Sequence, residues 1–340
     1  MTDFSPLLEI ALSGRALTRV EMRAAMDLLL EGVVADNDIA AFLLALKRRG
    51  ETVEEIVAAA QAMRARALHI AAPVGAIDTC GTGGDGADTF NISTAAALIV
   101  AGAGVPVAKH GNRAASSKSG SSDILSVLGV NLTPAPEIIE RCITEANVGF
   151  MFAAYHHRAV GHVANVRKKL ATRTLFNLLG PLANPAGAKR QLMGVFDAAL
   201  AEPLARALLD LGAEHVWVVH GADGLDELTT TGESHVVEGK DGAIRTFTIT
   251  PEEADLKRAD AAALKGGAPE ENAAALKRLL DGERSAYRDI AVLNAAAALI
   301  VAGKARDLSA GAALASRAID SGDAKAALAN LVRISNEGAP

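Results

Sequence analysis

Through the first seventy residues, apolar positions recur at helical spacing, and a glycine or a polar cap marks where each run begins or stops. Pro6-Leu7-Leu8-Glu9-Ile10-Ala11-Leu12 runs toward Gly14. Thr18-Arg19-Val20-Glu21 has the form of a capping box and opens a helix that passes through Met26-Asp27-Leu28-Leu29-Leu30 to Gly32. Asp36-Asn37-Asp38 caps a third run from Ile39 to Arg49, which stops at Gly50, and Thr52-Val53-Glu54-Glu55 caps a fourth through Met63. No alternating pattern interrupts them, so residues 1–72 are expected to form a small all-helical domain ending near Pro73.

After Pro73 the period changes. Ala76–Cys80 reads as a short buried strand, followed by a glycine-rich loop and a helix from Ser93 to Ala101 that closes at Gly102 or Gly104. Val105–Ala108 is a second strand, again followed by a loop of small polar residues, and Asp123–Leu128 a second helix ending at Gly129. Val148–Phe152, Leu192–Phe196 and His215–His220 continue the strands, with helical pattern at Val163–Leu179 and Glu202–Leu211. Ser234–Glu238 and Ala243–Ile249 read as an antiparallel pair, and the last seventy residues return to helix. The expected fold is α/β: the small helical domain, joined by a helical segment near 165–185, and a large domain over 73–340 with a mostly parallel central sheet and C-terminal helices. Loops leaving parallel strands at their carboxyl ends share one edge of such a sheet, where open α/β sheets bind ligands. The string AAALIVAG occurs at Ala95–Gly102 and again at Ala296–Gly303, which predicts two similar buried helices.

Composition narrows the class. With 50% apolar and 22% charged residues, the 340-residue chain can repay the entropy of folding, which excludes general disorder. The longest apolar run, Ala95–Ala108, is broken by Gly102, Gly104 and Pro106, too short for a span of about 20 residues. Met1-Thr2-Asp3 has no basic region or apolar stretch of a signal peptide, and two cysteines, Cys80 and Cys142, are expected as free thiols in a reducing cytoplasm. A net charge of −6 argues against general affinity for nucleic acid or anionic membranes. Its distribution is more informative. No acid lies between Asp88 and Asp123, where Lys109, His110, Arg113 and Lys118 fall. None lies from Ala146 to Phe196, which carries Arg158, Arg167, Lys168, Lys169, Arg173, Lys189 and Arg190. Such gaps suit local binding of small anions; a solvated basic face is the alternative for the second.

Three loops carry candidate chemistry. Gly81-Thr82-Gly83-Gly84-Asp85-Gly86 matches G-x-G-x-x-G after a strand, but no helix starts at its third glycine and no ribose-binding acid follows at the required distance. What remains is close approach: glycine backbone amides converging on an anion, with Ser93-Thr94 at a helix N-terminus. A glycine-rich turn with an N-cap is the alternative. The second loop, Lys109–Asp123, combines cations, small residues and hydroxyls of the kind several phosphate oxygens need, and no Walker sequence is present. The third, Gly224-Leu225-Asp226-Glu227, sets two carboxylates side by side, a clamp for Mg²⁺ when phosphate is nearby and a solvated turn otherwise.

Together these segments resemble the anthranilate phosphoribosyltransferase family over nearly the whole chain. The likeness rests on Gly81–Asp85 with Asn91-Ile92-Ser93-Thr94, on Lys109–Ser117, on Arg167 followed by Arg173-Thr174, Asn177, Gly180-Pro181 and Asn184-Pro185, and on Gly224–Glu227. The resemblance implies transfer of a 5-phosphoribosyl group from phosphoribosyl pyrophosphate to the amine of anthranilate. It implies that Gly81, Gly84, Asp85, Thr89, Asn91, Ile92, Ser93, Thr94, Lys109, His110, Gly111, Asn112, Arg113, Ala114, Ala115, Ser116, Ser117 and Ser121 surround the donor. Ser93, Asp226 and Glu227 would hold two Mg²⁺ ions, with Lys109, Asp226 and Glu227 the catalytic set. Gly81, Asn112, His156 and Arg167 would meet anthranilate, Arg167 through its carboxylate, and a cytoplasmic homodimer through the helical domain is implied. The chain departs from the family pattern at Ala153-Ala154, Gly161 and Asn165, all near the acceptor site. Rival readings are a pyrimidine nucleoside phosphorylase, which lacks the metal pair, and a non-catalytic nucleic-acid-binding relative, which the negative charge opposes.

Overall fold

The computed structural model describes residues 3–113 and 118–338. Helices α1 (Ser5–Leu12), α2 (Arg19–Glu31), α3 (Asp36–Arg49) and α4 (Val53–Ala65) open the chain. The capping boxes form as the sequence requires: the Thr18 and Thr52 hydroxyls accept from the amides of Glu21 and Glu55, and each glutamate reaches back to the cap. Strand β1 (Ile77–Gly81), helix α5 (Ile92–Gly102), strand β2 (Val107–Gly111), helices α6 (Ser121–Val127) and α7 (Pro136–Glu145), and strand β3 (Val148–Phe152) follow. Next come α8 (Ala153–His156), α9 (Gly161–Leu170), α10 (Phe176–Leu182), β4 (Arg190–Gly194), α11 (Ala201–Asp210) and β5 (His215–Gly221). Strands β6 (Ser234–Lys240) and β7 (Ala243–Ile249) precede α12 (Pro269–Leu280), α13 (Ala286–Val301), α14 (Leu308–Asp320) and α15 (Asp323–Ser335).

The seven strands form one sheet in the order β3-β2-β1-β4-β5-β6-β7, parallel through β5 and antiparallel beyond it. Strand alternation sorts the core onto two faces. Ile77, Val107, Leu192, Trp217 and Val219 face α5 and the C-terminal helices. Met193, Val195, Val216 and Val218 share the opposite cluster with Met22, Phe42 and Ile56 of the N-terminal helices, and with Val163, Val166 and Leu179. The helices around 161–182 therefore pack with the N-terminal four, although they lie far away in sequence. The repeated AAALIVAG segments lie in α5 and at the end of α13, and both sit in the first of these clusters. Gly102 stays inside α5 because a Cβ there would meet the Ala324 amide nitrogen at 2.5 Å, so it is the seat for α15.

Two expectations change. The run Val163–Leu179 is not one helix: α9 ends at Ala171, in the left-handed region at φ 46°, and α10 begins only at Phe176. The connector between them lets Arg173 donate to the Gly84 carbonyl and lie over the Phe196 ring, 3.8 Å from its centroid. Helix α7 gave no reading in the sequence, yet its Ile139, Cys142 and Ile143 are buried against the sheet edge. Both cysteines are free and buried, and among the described residues no helix is long and apolar enough to cross a membrane.

One buried charge organises the N-terminal helices. Glu55 has no exposed surface, and its carboxylate accepts from the amides of Leu17 (2.8 Å) and Thr52 (2.9 Å) and from the Arg49 guanidinium. Burial pushes its pKa up, but Arg49 and those amides outweigh burial and hold it below the ordinary 4.5. Its stabilising contribution is therefore complete above the ordinary glutamate range and is lost as pH falls through the lowered folded-state value. Glu55→Ala is expected to cost about 2–4 kcal/mol in denaturant unfolding near neutral pH, because it leaves Arg49 and two amides without their acceptor. The gap from wild type should narrow in acid; an unchanged gap at low pH would remove the charge from the explanation.

Candidate active site

The carboxyl ends of the five parallel strands share one edge of the sheet, and that edge carries all three loops singled out above. Strand β1 delivers Gly81 and the glycine-rich loop, β2 delivers Lys109 to Arg113, and the turn after β5 brings Asp226 and Glu227 back over the ends of β1 and β4. Glycine makes this overlap possible. A Cβ on Gly194 would lie 1.5 Å from the Asp226 carbonyl oxygen, and one on Gly81 would lie 2.4 Å from Asp226 Oδ2.

The loop ends are joined by hydrogen bonds of charged groups. The Gly83 amide donates to Asp226 Oδ2 at 2.7 Å, and the Ser93 amide, in the first turn of α5, donates to Glu227 Oε1 at 3.1 Å. Buried Lys109 donates from Nζ to the Thr79 carbonyl and, at 3.3 Å, to Ser93 Oγ. Asp85 Oδ2 accepts from the Asp226 amide at 3.4 Å. Asp226 and Glu227 keep part of their surface open to solvent, yet the surrounding protein shields their carboxyls. That desolvation, with Glu227 and Asp85 as neighbours, raises the Asp226 pKa well above its usual range. Desolvation and Asp85 raise Glu227 to about 8, against the pull of Lys109. Burial lowers Lys109, opposed chiefly by Asp78.

The arrangement is short of positive charge. Among the described residues no three His, Cys, Asp or Glu side chains converge to grip an ion by themselves. Two neighbouring carboxylates beside a hydroxyl and an anion-binding loop suit Mg²⁺, which uses one or two carboxylates and completes its octahedron with water and substrate phosphate.

The other residues expected on the donor side are held from behind. Asn91 donates from Nδ2 to the Ser119 carbonyl at 3.0 Å, and its Oδ1 accepts from Asn272 Nδ2 at 3.0 Å. Tyr287 donates to the Asn91 carbonyl and stacks on Phe90 at 4.5 Å. Thr89 pairs with Lys265 in an isolated bridge. Ile92 and Thr94 are buried in α5. The Asn112 carbonyl accepts from Ser121 Oγ at 3.2 Å, closing the base of the second loop, and Asn112 Oδ1 accepts from the Arg113 amide. Ala114, Ala115, Ser116 and Ser117 lie outside the described residues. Asn272, Tyr287 and Lys265 had no signal in the sequence, since each acts from the C-terminal third on a loop nearly two hundred positions earlier.

The expected acceptor residues form a looser set. Half-buried Arg167 lies 5.3 Å from the Phe176 ring centroid, and burial lowers its pKa. His156 is tied by Nδ1 to the Leu68 carbonyl at 2.7 Å. The neighbouring His157, not singled out from sequence, packs its ring 5.1 Å from that of His110. His110 Nδ1 bonds the Gly180 carbonyl at 3.0 Å, and the Nε2 atoms of His110, His156 and His157 are buried without a partner among the described residues. Burial and the adjoining histidine keep His110 well below the usual imidazole range and His157 at about 4, so both rings are neutral near pH 7.

A second cleft, of about 1010 Å³, lies at the other end of β4 and β5, between Arg190, Trp217, Arg245 and Ser309. Glu238 there accepts from Trp217 (3.0 Å) and bonds His215 (2.8 Å). Neither the glycine-rich loop nor Asp226 and Glu227 lines it.

Residues 5–67 match the helical bundle domain of the glycosyl transferase family and residues 74–325 its α/β domain. The anthranilate phosphoribosyltransferase of Beijerinckia indica is 58% identical over 99% of this chain and 98% of its own. The chain belongs to the anthranilate phosphoribosyltransferase family. The family's enzyme from Rhizobium meliloti is 57% identical over 99% of both chains. The solved family member from Thermus thermophilus superposes with a TM-score of 0.92 at 46% identity, covering 97% of this chain and 99% of its own. A Saccharomyces cerevisiae member solved with phosphoribosyl pyrophosphate and Mg gives 0.88 at 27% identity, covering 98% and 99%.

Gly194→Ala tests the overlap at the strand ends. The added methyl must displace the backbone of Asp226, so the variant is expected to stay folded by circular dichroism and to lose activity by about a hundredfold or more. Activity within about threefold of wild type would show that the carboxylate pair tolerates displacement.

Proposed function

We propose that the chain transfers the 5-phosphoribosyl group from phosphoribosyl pyrophosphate to the amine of anthranilate, giving N-(5-phosphoribosyl)anthranilate and pyrophosphate, a step of tryptophan biosynthesis. The observation that carries the reading is the meeting of Lys109, Ser93, Asp226 and Glu227 beneath the glycine-rich loop. Gly81, Gly84, Asp85, Thr89, Asn91 to Thr94, Lys109 to Arg113 and Ser121 line the donor side in this reading. The partly open carboxylates of Asp226 and Glu227, with Ser93 Oγ, would hold two Mg²⁺ ions per chain. Bound Mg²⁺ supplies positive charge that favours departure of pyrophosphate.

The protein's own part is positioning and charge. Lys109, held by a carbonyl and a hydroxyl, places one fixed ammonium where negative charge grows on the leaving group. Glycine amides and the start of α5 orient phosphate oxygens. Arg167 offers a guanidinium to the acceptor carboxylate, Asn112 and Gly81 border it, and His156, together with His157 and His110, presents neutral imidazole nitrogens without partners among the described residues. The aniline-type nitrogen is neutral near pH 7 and needs no strong base, so holding it in line with the ribose carbon contributes much of the rate.

In the same reading residues 1–72 are the helical domain, joined by a helical segment near 165–185, and residues 73–340 the α/β domain. A homodimer through those helices is supported by exposed Leu12 (53%), Val20 (80%) and Val33 (63%). Two reduced, buried thiols support a cytoplasmic site.

The test is loss of anthranilate fluorescence that requires both phosphoribosyl pyrophosphate and Mg²⁺. Asp226→Asn with Glu227→Gln is expected to lower kcat by about a hundredfold or more. Near-normal turnover at saturating Mg²⁺ would remove the clamp assignment, and phosphorolysis of thymidine or uridine by wild type would transfer the chain to the nucleoside phosphorylases.

A further inference from the structure

The sheet is split where the site lies. Strands β1 and β4 pair continuously from Ile77–Arg190 to Gly81–Gly194, and β2 and β3 from Val107–Val148 to Gly111–Phe152. Between β1 and β2, the described register holds only Ile77–Val107. Beyond that pair the backbone groups facing the gap need other partners, since an unpaired buried amide or carbonyl is costly. Side chains fill three of these places. The His110 amide donates to Asp78 Oδ1 at 3.1 Å. The Ala108 carbonyl accepts from Asn184 Nδ2 at 2.9 Å, and the same amide group donates to Asp78 Oδ2 at 2.8 Å. The Thr79 carbonyl accepts from Lys109 Nζ.

Asp78 has no exposed surface and takes no part in the reaction described above. It is bound on both oxygens; burial raises its pKa, opposed chiefly by Lys109. Strand alternation puts Asp78 and His110 on the face toward α10, where Asn184 meets Asp78, while Lys109 points to the face of α5 and Ser93. One fully buried carboxylate thus touches the backbone between the acceptor-side histidine and the donor-side lysine, and it is anchored through Asn184 to the segment after α10.

We infer that Asp78, clasped by Asn184, is a positioning residue that props the β1–β2 split and seats the Lys109 side chain beside the leaving pyrophosphate. The inference rests on the reading of Lys109 given above. It differs from a general packing role because it requires the carboxylate and the ammonium, which make no ion pair within 4.0 Å among the described residues, to depend on one another across the gap.

Thermal melts of wild type, Asp78→Asn, Lys109→Met and the double variant, without substrate, test that dependence. Asp78→Asn and Lys109→Met are each expected to lower Tm by about 5 °C or more, since each leaves the other charge uncompensated. In the Lys109→Met background, Asp78→Asn should cost at most half of what it costs in wild type; equal, additive losses overturn the inference. Kinetics supply the second readout. Below its melting range, Asp78→Asn should lose about tenfold in kcat with the anthranilate KM changed by less than about threefold. Wild-type kcat per folded molecule would reduce Asp78 to a structural residue. If Asp78→Asn does not accumulate folded, Asn184→Ala, which leaves every charge in place, carries the kinetic test, with a kcat loss of about threefold or more expected and none contradicting it. Should wild type show no phosphoribosyl transfer at all, the proposed function fails while the melts still report on the clasp.

Discussion

Asp85, Asp226 and Glu227 are drawn together at the end of a parallel sheet with Lys109 as their counter-charge, and the structure is arranged around that imbalance. Like charges at this separation are tolerated only because amides of Gly83 and Ser93 donate to them and because their outer surface stays partly open. The raised pKa values of both clamp carboxylates express the same deficit. In the proposed reading a dication with a phosphorylated substrate would repair it, making substrate binding and charge balance one event. The glycines at 81 and 194, the short turn after β5 and the burial of Lys109 all follow from the need to bring these groups within reach of one another.

The sheet separates two kinds of chemistry. In the proposed reading, Lys109, Ser93 and the carboxylate pair on the α5 face form a charged donor site, and His110, His157 and Arg167 on the other face form a more sparsely charged acceptor side. The helices of 161–182 pack with the N-terminal four rather than with the C-terminal ones, and Arg173 reaches from their connector to the Gly84 carbonyl. Those two parts of the chain therefore meet at the glycine-rich loop.

Most of this was legible from local signals. Capping boxes at Thr18 and Thr52, the strand–glycine-loop–helix alternation and the Asp226-Glu227 pair depend on neighbours a few residues away, and each stands where the pattern placed it. What escaped depends on long-range contact. Nothing near Asp78 announces that its partners are His110 and Asn184, and nothing near Tyr287 or Asn272 points to Asn91. The break at Ala171 was hidden because residues 163–179 keep an apolar pattern that a single helix would also satisfy. His157 was passed over for His156 because only packing reveals which of two adjacent imidazoles meets His110.

The central claim is that the carboxylate pair binds metal and substrate together. Calorimetric titration of phosphoribosyl pyrophosphate into the protein, with and without Mg²⁺, measures it directly. The expected result is affinity at least about tenfold higher with Mg²⁺ in wild type, a gain absent from the Asp226→Asn, Glu227→Gln variant. Equal affinity with and without the metal, or the same gain in the variant, would contradict it.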